Sequence, residues 1–203
     1  MSGYKFNDGL DEFSYALGLS VTSNLIQSGV KTISPSGFML AMEDLFKGGQ
    51  VKMTAEEANH ILQSFMEEQQ NSDADNNLEE GLKFLTENLK HADVTETNSG
   101  LQYKILVDGA GEKPTVNDQV KCHYHGTLID GTVFDSSVQR GTPAIFPVNG
   151  VIQGWVEALQ LMSAGSKWRL FIPSNLAYGQ RGAGGSIGPN ATLIFDVELL
   201  EIV

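Results

Sequence analysis

The order of hydrophobic and polar residues changes its period near the middle of the chain. Before residue 90, apolar residues recur every three or four positions, which is the spacing of an amphipathic helix. After residue 100, short apolar runs alternate with turns rich in glycine and proline, which is typical of β-strands. The pattern therefore predicts a helical first half and a β-rich second half.

Two helices are predicted before residue 50. The first is expected to end at Gly29, and the second begins at Ser34, an N-cap residue followed by Pro35 in the first turn. The second helix can stop at the glycine pair 48–49. Their apolar positions are Leu10, Phe13, Leu17, Val21 and Leu25 in the first helix and Phe38, Met42, Leu45 and Phe46 in the second.

A third helix begins with a capping box, in which Thr54 and Glu57 satisfy free backbone amides reciprocally. The polar stretch 69–77 interrupts its apolar pattern, so two interpretations are open. Either one long helix runs from about residue 54 to 90, or two helices meet in this stretch. We favour the continuous helix and expect a solvated helix face to carry Asp73, Asp75, Asn76 and Asn77.

The apolar residues of these helices lie on more than one face, and two short helices with one long one make a poor core of their own. We therefore expect residues 1–70 to form a homodimer. The alternatives are an intramolecular bundle or a helix packed on the second domain.

The second half predicts an α+β domain of antiparallel strands around one short helix. Residues 92–100 are polar and unpatterned, which is typical of a linker. We therefore expect a helical dimerisation domain over 1–70, a linking helix and linker over 71–98, and a second domain over 99–203. The predicted strands are 101–107, 119–128, 167–172 and 192–202, and the predicted helix is 154–161.

Charge and cysteine content narrow the function classes. The net charge is −12, most of it before residue 99, so a phosphate-binding surface for nucleic acid is not expected. A single cysteine, Cys122, excludes an internal disulfide and is expected to be buried. No apolar run is long enough to cross a bilayer. The start of the chain lacks a secretory signal, so we expect a cytoplasmic protein, or a periplasmic or surface protein if a leader was removed.

The candidate chemistry is a binding pocket. Asp135, Trp155 and Tyr178 place aromatic rings beside one carboxylate, which suits an apolar ring held under an oriented polar group. His123 and His125 alternate on one strand without a third ligand, so we expect no metal site and assign them to the surface. The glycine-rich segment 182–186 lacks the Lys-Ser/Thr of a phosphate loop and indicates a flexible flap.

Residues 99–203 resemble the FK506-binding-protein (FKBP) family of peptidyl-prolyl cis-trans isomerases. The first half is similar to the dimerisation region of its bacterial macrophage-infectivity-potentiator and FKBP22-like branch. The matching segments are SGLQY (99–103), VKCHYHG (120–126), LIDGTVFDSS (128–137), VIQGW (151–155), LAYG (176–179) and ATLIFDVEL (191–199), with SYALG (14–18) and FLTEN (84–88) in the first half.

The resemblance implies a five-stranded antiparallel sheet wrapped around a short helix, with the active cleft between them. It implies isomerisation of Xaa-Pro bonds in unfolded or folding polypeptides, with chaperone activity, no cofactor and no metal. It also implies a homodimer and sensitivity to FK506- or rapamycin-type macrolides. A chaperone in which isomerisation is incidental, and a docking module that grips proline motifs without turning them over, are the alternatives.

The site residues are carried over by position. Trp155 would form the floor, Asp135 would orient Tyr124 by a hydrogen bond, and Ile152 would offer its backbone amide to a substrate carbonyl. Residues 180–189 would form a flap over the cleft. The implied catalytic residues are Tyr124, Phe134, Asp135, Trp155, Tyr178 and Phe195, and the implied substrate-binding residues are Phe146, Val151, Ile152 and Ile187.

Overall fold

The computed structural model describes residues 5–203, which divide into two compact units between Ser64 and Phe65. The helices are α1 (Gly9–Gln27), α2 (Pro35–Phe46), α3 (Ala55–Asn88), α4 (Ser137–Arg140) and α5 (Gln153–Leu161). The strands are β1 (Thr95–Glu96), β2 (Gln102–Val107), β3 (Gln119–Leu128), β4 (Val133–Ser136), β5 (Ala144–Pro147), β6 (Lys167–Ile172) and β7 (Leu193–Ile202).

The first two helices begin and end where their caps indicate. Asp8 caps α1 by accepting a hydrogen bond of 2.8 Å from the Asp11 amide, and Ser34 caps α2 by accepting from the Gly37 amide. Gly29 and Gly48 follow the two helices with positive φ, a conformation that glycine adopts without steric cost. The predicted end of α1 and the predicted start and end of α2 are confirmed.

Helix α3 is continuous over 34 residues, as we favoured. Its capping box forms as expected, since the Thr54 amide donates to Glu57 at 2.7 Å and the Glu57 amide donates to Thr54 Oγ1 at 3.2 Å. The polar stretch 69–77 does not break the helix because it contains neither glycine nor proline.

No residue of α1 or α2 is buried within the single chain. Large apolar side chains are open to solvent there, with Leu10 72% exposed, Leu45 72% and Phe46 83%. In the described part of the first unit, the helices therefore leave their apolar faces without a covering partner.

The second unit is built on one antiparallel sheet with the strand order β1-β2-β6-β7-β3-β4, in which β5 also pairs with β3. The fold class is confirmed, but the sheet has seven strands where we expected five. Helix α4 divides one strand into β4 and β5, which pair with successive parts of β3. The two-residue β1 adds a further strand at the edge of the sheet, beside β2.

The segment 92–100 was predicted as a linker, and that prediction was incomplete. It contains β1, which pairs with β2, and Asp93 forms an ion pair with Lys104 at 2.5 Å. The hydroxyl of Ser99 donates to Glu157 at 2.5 Å. These contacts hold the segment against the sheet unit.

Helix α5 packs on the sheet and completes the core. Its buried face carries the apolar side chains of Trp155, Ala158 and Leu159. These side chains join residues of β3, β6 and β7 in one hydrophobic cluster. Cys122 lies in that cluster with no exposed surface, so its predicted burial is confirmed. Burial raises the pKa of the Cys122 thiol to about 12.

Candidate functional site

A cavity of about 650 Å³ opens in the second unit, within the usual size range of small-ligand pockets. All ten residues that the sequence assigned to the site line it. They are Tyr124, Phe134, Asp135, Phe146, Val151, Ile152, Trp155, Tyr178, Ile187 and Phe195.

The floor of the cavity is Trp155 on α5, which is buried to 4% exposure. The rings of Tyr124, Phe146 and Phe195 meet its indole edge to face, with centroids 5.6, 5.8 and 5.3 Å away. Edge-to-face packing of this kind is the favoured geometry for aromatic pairs and fixes the ring orientations.

One glycine shapes the wall. Gly126 on β3 lies opposite Phe195 of β7 and Asp135 of β4 in the sheet register. A Cβ atom at Gly126 would come within 2.7 Å of the rings of Phe134 and Phe195. The missing side chain therefore lets these two rings, 5.3 Å apart, lie directly against the strand.

The polar edge of the cavity is a network of three side chains. The Tyr124 hydroxyl donates to Asp135 Oδ2 at 2.6 Å, as the sequence led us to expect. Arg140 donates through Nη1 to Asp135 Oδ1 and through Nη2 to the Tyr124 hydroxyl at 2.7 Å. The Arg140 guanidinium also lies 5.6 Å from the centre of the Tyr124 ring.

These bonds set the protonation states of the edge. Burial of Asp135 opposes ionisation, but the hydrogen bonds from Tyr124 and Arg140 outweigh it, so the pKa of the Asp135 carboxyl lies below its usual value. Burial and the hydrogen bond to Asp135 raise the pKa of the Tyr124 hydroxyl. Near neutral pH the pair is therefore a carboxylate and a neutral phenol.

Arg140 was missed from the sequence although a signal was present. Ser136 caps α4 by accepting from the Gln139 amide, and Gly141 follows the helix with φ of 71°. The span from Ser136 to Gly141 marks one helical turn. This turn brings the Arg140 side chain back to Asp135, which lies five residues earlier in the chain. Ser137 was also missed, and its hydroxyl holds the backbone of Tyr124 through bonds to its amide at 2.7 Å and its carbonyl at 3.2 Å.

The flap begins within a 3₁₀ turn over Gly179–Arg181. Ala183 and Ile187 pair across it, since the Ala183 amide donates to the Ile187 carbonyl at 2.8 Å and the Ile187 amide donates back at 3.0 Å. Further lining residues are Gly150, which the sequence did not predict, and three members of the predicted flap that it did not assign individually, Ala183, Gly184 and Ser186.

His123 and His125 are half-buried, so their assignment to the surface holds only in part. His123 Nδ1 lies 3.1 Å from Ser137 Oγ, and His125 Nδ1 lies 2.9 Å from Ser136 Oγ. The two rings therefore pack beside α4 with hydroxyl partners. Among residues 5–203, no three ligand-type side chains are grouped as a metal site would require.

An antiparallel sheet packed on a short helix, with an aromatic cavity and one carboxylate–phenol pair, defines the class of a ligand-binding α+β domain. Residues 110–200 match the family described as FKBP-type peptidyl-prolyl cis-trans isomerase. Residues 10–105 match the domain amino terminal to FKBP-type peptidyl-prolyl isomerase. The chain belongs to the FKBP-type peptidyl-prolyl cis-trans isomerases, and the resemblance noted in the sequence is confirmed.

Relatives that the chain matches over most of their length support the same family assignment. The chain is 47% identical over 196 residues to the FKBP-type 22 kDa peptidyl-prolyl cis-trans isomerase of Escherichia coli strain K12, covering 94% of each chain. It is 43% identical to the outer membrane protein MIP of Legionella longbeachae, covering 95% of this chain and 85% of that one. The crystal structure of FkpA from Escherichia coli superposes with a TM-score of 0.73 at 34% identity, covering 98% of both chains.

The expected cytoplasmic location gains no support from these comparisons, because one similar protein is named an outer membrane protein. In the part of the chain that the structure describes, no helix combines the length and apolar content needed to cross a membrane.

Proposed function

We propose that the cavity lined by Trp155 accelerates Xaa-Pro bond rotation by non-covalent stabilisation of the twisted amide. The observation that carries this mechanism is the combination of a wholly aromatic floor with a single ionised carboxylate that is already occupied by Tyr124 and Arg140. Such a cavity offers an apolar surface and fixed dipoles, which are what non-covalent stabilisation requires.

The physics of the amide explains why that surface suffices. Resonance gives the C–N bond partial double-bond character and a rotation barrier of roughly 18–20 kcal/mol. In the twisted state this resonance is lost, and the carbonyl no longer carries the charge separation that water solvates well. An apolar cavity therefore binds the twisted amide better than the planar one, which lowers the barrier.

The polar groups have orienting roles in this mechanism. Asp135 stays ionised and holds the Tyr124 hydroxyl, so neither group is needed to move a proton. Ile152 precedes α5, and among residues 5–203 its amide donates to no other group, while its carbonyl accepts from Trp155 and Val156. These observations support the proposal that the Ile152 amide donates to the carbonyl of a bound substrate.

The test is the cis-to-trans exchange rate of a short Xaa-Pro peptide, measured by NMR with the full chain. Tyr178 is 41% exposed at the cavity, so its ring can be removed with little loss of core packing. Tyr178→Ala should slow exchange strongly, whereas Tyr178→Phe keeps the wall and isolates the hydroxyl. No acceleration by the folded wild-type protein, or full activity in Tyr178→Ala, would refute the assigned cavity.

Macrolides of the FK506 or rapamycin type are the expected inhibitors of the same cavity. An apolar macrolide ring would contact the Trp155 indole, so titration should change tryptophan fluorescence and suppress exchange in parallel. A macrolide that suppresses exchange without competing with the peptide would place its site elsewhere.

A second proposed function is holding of unfolded chains by a homodimer formed through residues 1–70. The supporting observation is the set of exposed apolar side chains on α1 and α2, which a single chain leaves uncovered. Sedimentation equilibrium at micromolar concentration tests the dimer, and a single 22.0 kDa species would exclude it.

Holding and catalysis can be separated in the intact chain. If holding is independent, a variant with an inactivated cavity should still suppress aggregation of an unfolded client that contains no proline. If suppression disappears together with isomerisation, the chaperone function depends on the cavity.

A further inference from the structure

The second half of α3 carries a row of contacts to the sheet unit at helical spacing. Asn77 bonds to Pro189, the buried Gly81 lies against Thr192, and the Phe84 ring lies 5.9 Å from Phe171. At the end of the row, Asn88 Nδ2 donates to Gln102 Oε1 at 2.9 Å. The positions 77, 81, 84 and 88 lie on one helix face.

The first contact in this row reaches the flap. Asn77 Nδ2 donates to the Pro189 carbonyl at 2.8 Å, across 112 residues of sequence. Asn190, the residue that follows the flap, also bonds to the helix, since its Nδ2 donates to the Ala74 carbonyl at 3.3 Å. The helix therefore both donates to and accepts from the end of the flap.

The backbone at this end is shaped for that contact. Asn190 has a φ of 54° and is the only non-glycine residue with positive φ among residues 5–203. Its amide donates to the Gly179 carbonyl at 2.8 Å and closes the flap at its base. Gly188 leaves room for the helix, because a Cβ there would lie 3.0 Å from Asn77 Nδ2.

The fixed end begins two residues after Ile187, the last flap residue that lines the cavity. Ile187 is 8% exposed, lines the cavity and belongs to the core cluster. Tyr178 precedes the base of the flap and lines the cavity from the other end. The contact at Pro189 and Asn190 therefore limits where both side chains can lie.

We propose that Asn77 is a positioning residue of the isomerase site, which holds the flap end so that Ile187 and Tyr178 keep their places in the cavity. This inference rests on the proposed function of the cavity. Without the contact, the flap must be ordered when substrate binds, and the entropy cost of that ordering weakens binding. A free flap should therefore raise KM more than it lowers kcat.

The test compares Asn77→Asp with Asn76→Asp in the full chain. The two positions share one helix and undergo the same chemical change, but Asn76 is exposed. Asn77→Asp replaces the donor that faces the Pro189 carbonyl with an acceptor. We expect it to raise KM about three- to tenfold, the effect of losing one ordinary hydrogen bond, with a smaller change in kcat. Asn76→Asp should match wild type.

A second readout does not depend on activity. The backbone amide NMR signals of Ala183 and Ile187 should shift and broaden in Asn77→Asp, and they should return towards their wild-type positions near pH 4. Protonation of the introduced carboxyl restores a donor to Pro189, so this recovery is specific to position 77. An overall loss of stability would shift signals throughout the domain and would not recover in acid.

The outcomes separate the two proposals. Equal KM values and equal flap signals in Asn77→Asp and Asn76→Asp, with an active wild type, would overturn the positioning role alone. A wild-type protein that does not accelerate exchange would refute the proposed function, while the flap signals would still report on the contact with Asn77.

Discussion

Replacing Asp135 with leucine tests the polar edge of the cavity. The carboxylate accepts from the Tyr124 hydroxyl at 2.6 Å and from Arg140. Leucine of similar size removes both bonds, so the Tyr124 hydroxyl keeps only the bond that it accepts from Arg140, which has itself lost its carboxylate partner. The expected loss is therefore one of orientation, while the aromatic floor stays in place.

The magnitude follows from the geometry. A hydrogen bond to a charged acceptor contributes about 1.5–3 kcal/mol in a sheltered site. The Asp135 side chain is 43% exposed, so solvent screening places its bond from Tyr124 at the lower end, about 1.5–2 kcal/mol. If that energy is lost from the transition state, kcat/KM falls about 10- to 30-fold.

The assay is NMR exchange of an Xaa-Pro peptide, with Asp196→Leu as the matched control. Asp196 also pairs with an arginine, through bonds of 2.6 and 2.8 Å to Arg169, but it does not line the cavity. Asp135→Leu should be slow and Asp196→Leu should retain the wild-type rate. Equal rates for Asp135→Leu and wild type, with both proteins folded, would refute the orienting role of Asp135.

Three further predictions concern pH, packing and the thiol. The pKa of Asp135 is lowered in the folded protein, so the contribution of its carboxylate to the rate is complete above the ordinary carboxyl range and is lost only as pH falls through that lowered value. A pH–rate profile should therefore stay flat down to about pH 4. A decline centred near pH 6 would contradict this. Gly81→Ala should destabilise the protein by about 1–3 kcal/mol in urea unfolding, because the new Cβ would clash with Thr192 Oγ1. Adding Thr192→Ala in the same chain should restore part of the lost stability. Cys122 should react with a thiol reagent only after unfolding, since burial raises its pKa to about 12, and rapid labelling of the native protein would contradict its buried position.

The sequence predicts the long, regular elements well because their signals are local. Strands β3 and β6 have the predicted bounds, and α2 begins at its Ser34 cap. Strands β4 and β5 were missed because each has only four residues, too few to show an alternating pattern. Their position is set by pairing with β3, a tertiary contact that local propensity does not contain.

The same distinction holds for the site. Its aromatic residues were assigned partly from their pattern beside Asp135 and partly by resemblance to a family, and the cavity brings all of them together. Arg140 and Asn77 were not found, since each acts through a partner that only the folded chain supplies. Asn77 lies in a polar stretch that was interpreted as a solvated face, but its partner is a backbone carbonyl 112 residues away. Side-chain type gives no information about such a bond.

The position of β7 in the sheet has a consequence for synthesis of the protein. This strand lies between β6 and β3, although it follows both of them in the chain. While the chain emerges from the ribosome, β3 and β6 are therefore present before the strand that joins them. Their unpaired edges and apolar faces stay exposed until β7 has emerged, so nascent chains of this isomerase should themselves be vulnerable to aggregation until that strand can pair with both of them.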